Sequence, residues 1–429
     1  MTFGVHRLRV ILLAVAMLLS ASLLLQTVSP ASADAAVKKS KQKQKKKKKK
    51  AKTKKPKWPA KAPAGLKFYK PPKKMPAAHG KLIWQRKAGG LVPLRSASAT
   101  KLVLYTSKSA SGKTVAVSGS VSFPKGKPPK GGWPLITWGH STTGIADKCA
   151  PSRNVKNGPV VGGISYIDPV LNGWLRAGYA VARTDFRGLG TPGTHPYIVG
   201  KAAGRDVLDI ARAARQLGPK VSNRFVIGGH SQGGHAALFA AGLASRWTPD
   251  LKLRGTLAYA PGSQLRTQAE VFLPILTIPN GLTALAAMLF RGVSTAYPSL
   301  NAQALLSDEV LPFYPDTGTE CLDRLSEPDH LGGIAPSKLF RAGADLTRIY
   351  EILDEQNPVL KTAAPILLLQ GSDDQATPKS LTDQLNTQLN EIGNTVDYRT
   401  YDGLGHFDLP EAVQPDSLAF VKSRLPSGR

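Results

Sequence analysis

Residues 229–233 read Gly-His-Ser-Gln-Gly, and their spacing could build a nucleophile. An apolar run at 224–228 precedes them and predicts a strand, and an alanine-rich stretch at 234–245 predicts a helix. A serine at so tight a strand-to-helix turn is exposed for attack, and side chains two residues before and after it would collide. Glycine at both positions removes that collision. The pattern therefore predicts Ser231 as the nucleophile of an acyl-transfer reaction.

A serine hydroxyl needs a base to take its proton, and an acid must orient that base. Where a strand-to-helix turn carries the serine, the expected chain order is serine, acid, histidine. Asp373 and Asp374 directly follow a strongly apolar run at 365–370, and we favour Asp374 as the acid. His406 is the one histidine of the chain after that run, and it ends a glycine-rich segment. The sequence predicts His406 as the base.

Acyl transfer also needs N–H donors aimed at the developing oxyanion. We expect one from Gln232, which directly follows the nucleophile, and one from Thr142 in the loop after a strand at 133–138. That loop contains a second Gly-His-Ser tripeptide ending at Ser141. Thr143 stands where the tight turn would need glycine, so Ser141 is not expected to be the nucleophile.

No cofactor or metal is expected. Residues 188–193 match a G-x-G-x-x-G dinucleotide pattern, but prolines follow where a helix should open. Asp185, before that loop, is interpreted as a structural anchor. Two cysteines are too few for a cysteine-based zinc site.

We expect Cys149 and Cys321 to pair as a disulfide in an oxidising compartment, with two free thiols as the alternative.

Short apolar runs alternate with helical patterns along the chain. The predicted strands and helices are listed here: strands at 114–123, 133–138, 179–185, 224–228, 253–260, 365–370 and 396–401; helices at 204–217, 234–245, 377–389 and 417–425. This alternation predicts an α/β fold with a mainly parallel sheet flanked by helices. The rhythm breaks at about 261–363, which we interpret as a mostly helical cap. Its uncharged stretch 271–290 either packs inside the cap or lines an acyl-chain groove.

The N-terminus predicts export. Arg7 and Arg9 precede an uncharged run at 10–25, and small residues end at Ala33, so residues 1–33 are interpreted as a signal peptide. An uncleaved membrane anchor is the alternative.

The net charge is +30, and 14 lysines fall within residues 38–57. Residues 34–80 are interpreted as a disordered arm and linker, and residues 81–429 as the folded domain.

The lysine-rich arm is either a solvated spacer or a contact to anionic polymers or lipid head groups of the cell envelope. We expect no nucleic-acid partner, because no aromatic residues interrupt the basic run. The protein is therefore expected to be secreted or associated with the cell surface.

The chain resembles the α/β-hydrolase fold and, more narrowly, the secretory lipase family of the lipase A type. The stretches that carry the resemblance are HSTTGIADKCAPS (140–152), TDFRGLGTPGTHPYIVG (184–200), RDVLDIARAAR (205–215), GHSQGGHAA (229–237), GSDDQATP (371–378) and GLGH (403–406). The resemblance implies hydrolysis of carboxylic esters of lipids, a cap over the site, and a triad of Ser231, Asp374 and His406. The family usually has glycine where this chain has Ser141.

The expected function is therefore a triacylglycerol lipase-like serine hydrolase acting on a lipid or ester substrate through an acyl-enzyme. The alternatives are a short-chain carboxylesterase, an acyltransferase to envelope glycans and, from another class, a non-catalytic envelope-binding protein held by its lysine arm. The intact order of serine, acid and histidine argues against the last.

Overall fold

The computed structural model describes residues 57–218, 220–277 and 281–427. The predicted signal peptide and the predicted lysine arm up to residue 56 lie outside these residues. Within them, no helix is long and apolar enough to cross a membrane.

Ten strands of the described chain form a single sheet. They are β1 (Ala60–Lys61), β2 (Leu82–Lys87), β3 (Ala99–Lys108), β4 (Thr114–Phe123), β5 (Trp133–Gly139), β6 (Ala180–Thr184), β7 (Val221–His230), β8 (Lys252–Tyr259), β9 (Ile366–Gly371) and β10 (Val396–Tyr401). Their order is β1-β2-β3-β4-β6-β5-β7-β8-β9-β10. The six strands from β6 to β10 run parallel, while β2, β3, β4 and β6 pair antiparallel. The predicted mainly parallel sheet is confirmed.

Eleven α-helices accompany the sheet in the described chain. They are α1 (Val161–Ser165), α2 (Asp168–Arg176), α3 (Gly200–Ala214), α4 (Gln232–Trp247), α5 (Leu265–Phe272), α6 (Leu282–Ala296), α7 (Leu322–Leu325), α8 (Thr347–Glu355), α9 (Lys379–Glu391), α10 (Leu409–Ala412) and α11 (Gln414–Arg424). Helices α5 to α8 all lie between β8 and β9, where the sequence predicted the cap. They surround an apolar core that also includes Ile145 and residues 197–199 from outside the cap.

The central strands are buried on both faces along their apolar segments, because helices cover both sides of the parallel part of the sheet. In β7, Phe225 and Ile227 join the core formed with α3 and α4, whereas Val226 joins the core formed with α2 and α11. Side chains alternate across a strand, so one short run of apolar residues fills both layers. Because β7 packs on both faces, the end of the strand, where the serine turn begins, is held in a fixed position.

The prediction of a disordered arm and linker over residues 34–80 is wrong for its described part, which begins at residue 57. β1 pairs with β2, and the chain then forms a 3-10 helix, Gly65–Tyr69. Phe68 is fully buried with Trp84, whose indole N–H donates to the Phe68 carbonyl at 2.9 Å. Burying an aromatic side chain contributes about 2–3 kcal/mol to folding. The burial of this aromatic pair therefore stabilises an ordered segment, although the surrounding residues are mostly polar. The folded part therefore begins before residue 81.

Candidate active site

Ser231 lies at the junction between β7 and α4, in a backbone conformation that few residues adopt. Its φ is 57° and its ψ is −118°. The Ser231 N–H donates to the Tyr259 carbonyl at 3.0 Å, which ties the turn to β8. A Cβ atom on Gly229 would overlap the Gly233 carbonyl, and one on Gly233 would overlap the Gly139 carbonyl. The two glycines are thus required by close approach, and the surrounding backbone holds the serine in its strained turn.

Asp374 and His406 form a buried pair in the loops after β9 and β10. Nδ1 of His406 donates to Oδ2 of Asp374 at 2.7 Å. The other carboxylate oxygen accepts the N–H groups of Ala376 at 2.9 Å and Thr377 at 2.8 Å. Burial alone would raise the pKa of Asp374, but the hydrogen bonds from His406 and Thr377 outweigh it, so the pKa lies below its ordinary value. The carboxylate therefore stays ionised and fixes which ring nitrogen of His406 carries the proton.

Asp373, the other candidate acid, points elsewhere. Its side chain is exposed and accepts a hydrogen bond from the Ser372 hydroxyl at 2.7 Å. The structure thus pairs His406 with Asp374, the favoured neighbour of the two.

His406 lies beside the serine turn. Its ring packs against His230, the residue before Ser231, with ring centroids 4.4 Å apart. Thr377 donates to Asp374 at 3.0 Å and lines the same cavity as Ser231. In the described chain no hydrogen bond joins the Ser231 hydroxyl to His406. Catalytic hydrogen bonds are often loose in unliganded enzymes and tighten when substrate binds.

Thr142 and Gln232, the expected oxyanion donors, both line this cavity with Ser231. Their side chains are engaged elsewhere: the Thr142 hydroxyl bonds the Tyr197 phenol at 2.8 Å, and the Gln232 amide donates to His195 at 2.8 Å. Gln232 is the first residue of α4, where a helix leaves its N–H groups without partners. Those contacts orient both residues and leave the Gln232 N–H free to act on a ligand.

His195 was missed by sequence reasoning. Its Nδ1 donates to the Arg187 carbonyl at 2.9 Å, so its Nε2 carries no proton and accepts from Gln232. Burial lowers the pKa of His195 to about 3, which keeps the ring neutral. His195 lies inside the 184–200 stretch, but its partner is 37 residues away in sequence.

The serine at 141, where glycine is usual, fits its position without strain. Ser141 is not among the described residues with positive φ. It is buried, and its hydroxyl donates to the Gly163 carbonyl at 3.3 Å. The backbone conformation of this loop therefore does not require glycine at position 141.

A cavity of about 160 Å³ opens at Ser231 beneath the cap, and no charged residue lines it. Leu282, Leu285 and Leu289 face it from α6 at helical spacing. Ala284 and Met288, on the other side of the helix, are fully buried in the cap core. One face of α6 therefore packs inside the cap, which is one of the two interpretations of residues 271–290, and the other face lines the cavity at Ser231.

A disulfide joins Cys149 to Cys321, as predicted. It links the segment after the Thr142 loop to the start of α7 in the cap. Beside it, the Leu322 N–H donates to the Thr143 carbonyl at 3.0 Å. The cap is thus fastened next to the candidate oxyanion donor.

Two further motifs have structural roles. Asp185 accepts the Ser118 hydroxyl at 2.6 Å and the Ser152 N–H at 2.9 Å, which fits its interpretation as a loop anchor. His330, in the cap, is only 4% exposed; it packs on Phe313 and bonds Asp316 at 3.1 Å. Within the described residues no group of three or more His, Cys, Asp or Glu side chains could hold a metal.

Comparison with known proteins places the chain. The model of the Secretory lipase family matches residues 164–428, which are more than half of this chain. This chain belongs to the secretory lipase family. As a member, it is a carboxylic ester hydrolase. The search of curated proteins found no match.

Solved structures show the same fold. Candida antarctica lipase A in its closed state aligns with a TM-score of 0.69 at 20% identity, over 81% of this chain and 82% of that one. A ligand-bound form of the rice cell wall degrading esterase LipA from Xanthomonas oryzae aligns with a TM-score of 0.65 at 17% identity, over 81% of this chain and 98% of that one. This secretory lipase family member therefore has the α/β-hydrolase fold.

Proposed function

We propose that this chain cleaves carboxylic esters of lipids through a triad of Ser231, His406 and Asp374. The observation that carries the proposal is the buried His406–Asp374 pair beside a strained serine turn that opens into an uncharged, mostly apolar cavity. An acyl chain needs such a lining, since each buried methylene contributes about 0.8 kcal/mol.

The reaction proceeds in two steps. Oγ of Ser231 attacks the ester carbonyl carbon while His406 takes the hydroxyl proton, and Asp374 stabilises the resulting imidazolium. The N–H groups of Gln232 and Thr142 bind the oxyanion. The alcohol leaves with the proton from His406, and the acyl group remains on Ser231. His406 then takes a proton from water while the water oxygen attacks the acyl carbon. The proton passes from His406 to Oγ of Ser231 as the bond between Ser231 and the acyl group breaks, which releases the acid and regenerates the enzyme.

Replacing the nucleophile tests this proposal. We expect Ser231→Ala to lower kcat on p-nitrophenyl esters by a factor on the order of 10⁴–10⁶, with the fold unchanged. A fluorophosphonate probe should label the wild type at Ser231 and leave the variant unlabelled. Ser222→Ala, near the other end of β7, is the matched control and should retain labelling. Near-normal turnover by Ser231→Ala would refute the assignment.

The acyl group distinguishes a lipase from a short-chain carboxylesterase. The apolar side chains that α5 and α6 contribute to the cavity favour long acyl chains. In a p-nitrophenyl series from acetate to palmitate, we expect kcat/KM to rise beyond butyrate. A steady fall after acetate would instead identify the short-chain esterase. A glycan ester among the products in the presence of a glycan acceptor would identify the acyltransferase.

We also propose that the protein is exported, with cleavage after Ala33. The Cys149–Cys321 disulfide supports an oxidising compartment, where such bonds persist. N-terminal sequencing of secreted protein should start near Asp34.

The lysine-rich arm at 38–57 would then meet anionic polymers or lipid head groups of the envelope, and cell association should weaken steeply between low and high salt. Cell association that does not change with salt concentration would exclude this contact.

A further inference from the structure

His230 is a buried histidine that the two-step mechanism does not use. Its side chain is fully buried at the end of β7, directly before the nucleophile. One face of its ring packs against His406 at 4.4 Å between centroids, with 42° between the ring planes. Nε2 of His230 is buried and makes no hydrogen bond of good geometry, although the ring also interacts with the backbone of His406. The ring therefore borders the candidate base on its side chain and its main chain.

Tyr166 fixes the orientation of this ring. Its phenol lies 2.6 Å from Nδ1 of His230, and the Ser141 side chain lies near the same phenol. Burial raises the pKa of Tyr166, so the phenol keeps its proton and can donate it to Nδ1. Phe407 covers the group from outside, at 5.1 Å from both the Tyr166 and the His406 rings. A continuous set of contacts thus runs from the candidate oxyanion loop to the candidate base.

We propose that His230 is a positioning residue for His406, oriented by Tyr166. This inference rests on the proposed function. A histidine in a glycine-rich loop can rotate about its side-chain bonds, and the bond to Asp374 constrains only one of its ring nitrogens. The His230 ring packs on one face of the His406 ring, and this contact restricts the rotation that would turn Nε2 away from the serine turn.

The charge on His230 suits this role. Burial lowers its pKa, and a proton on His406 lowers it further, so His230 is neutral while His406 is an imidazolium. A neutral aromatic ring supports a neighbouring cation without repelling it. By contrast, a positively charged residue in the same place would destabilise the intermediate in which His406 holds the serine proton.

The test compares two buried histidines near the same turn. We expect His230→Ala to lower kcat on the order of 10- to 100-fold with KM nearly unchanged, because His230 does not line the cavity but misplaced catalytic groups slow the chemical step. His235→Ala is the matched control: His235 is equally buried, yet it contacts Phe239 and the Gln356 carbonyl rather than His406. It should lose stability but keep kcat.

Tyr166→Phe covers the case in which His230→Ala does not fold, since it removes only a hydroxyl. We expect a several-fold loss of kcat and a slower fluorophosphonate reaction. A proton spectrum gives an independent readout: the downfield resonance of the His406–Asp374 hydrogen bond should broaden in both variants and stay sharp in His235→Ala.

The two levels of the proposal fail in different ways. Wild-type protein that a fluorophosphonate does not label at Ser231 would refute the proposed function. Labelled wild type, together with a His230→Ala or Tyr166→Phe variant whose kcat and downfield resonance match those of His235→Ala, would overturn the positioning role alone.

Discussion

Two adjacent aspartates after β9 differ in everything except residue type. Asp374 is buried and receives hydrogen bonds from His406, Thr377 and Ala376, whereas Asp373 is exposed. Asp374→Asn keeps the shape of the side chain but replaces the acceptor that His406 needs. We therefore expect kcat to fall by a factor on the order of 10⁴, while Asp373→Asn retains wild-type kcat. Steady-state kinetics on one soluble ester measures both, and equal effects of the two substitutions would contradict the assignment.

Motif order was enough to select Ser231, Asp374 and His406 as candidates, because each follows a recognisable strand. Motif order could not identify the residues that contact these three in the folded protein. Tyr166 and His230 are 64 residues apart in sequence, and their contact depends on how the loop before α2 folds over the sheet. For the same reason the sequence could name Thr142 as an expected donor but not the phenol of Tyr197 that orients it.

At the scale of elements, α6 divides its two faces between cap core and cavity. Leu289 lies on the cavity face, whereas Thr295, near the end of the helix, is exposed. We expect Leu289→Trp to fill part of the cavity and to lower kcat/KM for a palmitate ester at least about 10-fold relative to an acetate ester. Thr295→Trp should leave the ratio of the two esters unchanged. A ratio that Leu289→Trp does not alter would place the acyl chain elsewhere.

Elements of the sheet differed in how well the sequence predicted them. β4 and β10 have the predicted bounds, β5 differs by one residue at one end, and β9 differs by one residue at both ends. Glycine, proline and other turn residues bound these runs and mark where the strands end. β2 and β3 were not predicted, since lysines interrupt their pattern. The cap was expected as an insertion, but its short helices depend on packing around α6 rather than on local pattern.

At the scale of the molecule, buried histidines make stability depend on pH. Burial lowers the pKa of His195 to about 3 and that of His235 to about 4. Below about pH 6.5 the unfolded chain takes up protons at both positions while the folded chain does not, so stability falls as the pH falls. Burial raises the pKa of Asp185 and Asp209, and this acts in the opposite direction at lower pH.

We expect these two histidines to cost roughly 3 kcal/mol of unfolding free energy between pH 6.5 and pH 5, before any offset from the buried carboxyls. Denaturant unfolding at pH 7.5, 6 and 5 measures this change. His235→Gln should flatten the dependence by about one proton. Stability that rises on acidification through this range would show that other groups dominate.

The single covalent cross-bridge connects positions 172 residues apart, and it fastens the roof of the binding chamber to the rim beside Thr142. In the chain-entropy model such a loop is worth about 5 kcal/mol. Thiol treatment would leave Asp374 and His406 untouched and loosen only the roof. A reduced sample should therefore hydrolyse acetate esters almost as before and discriminate less among long-chain esters.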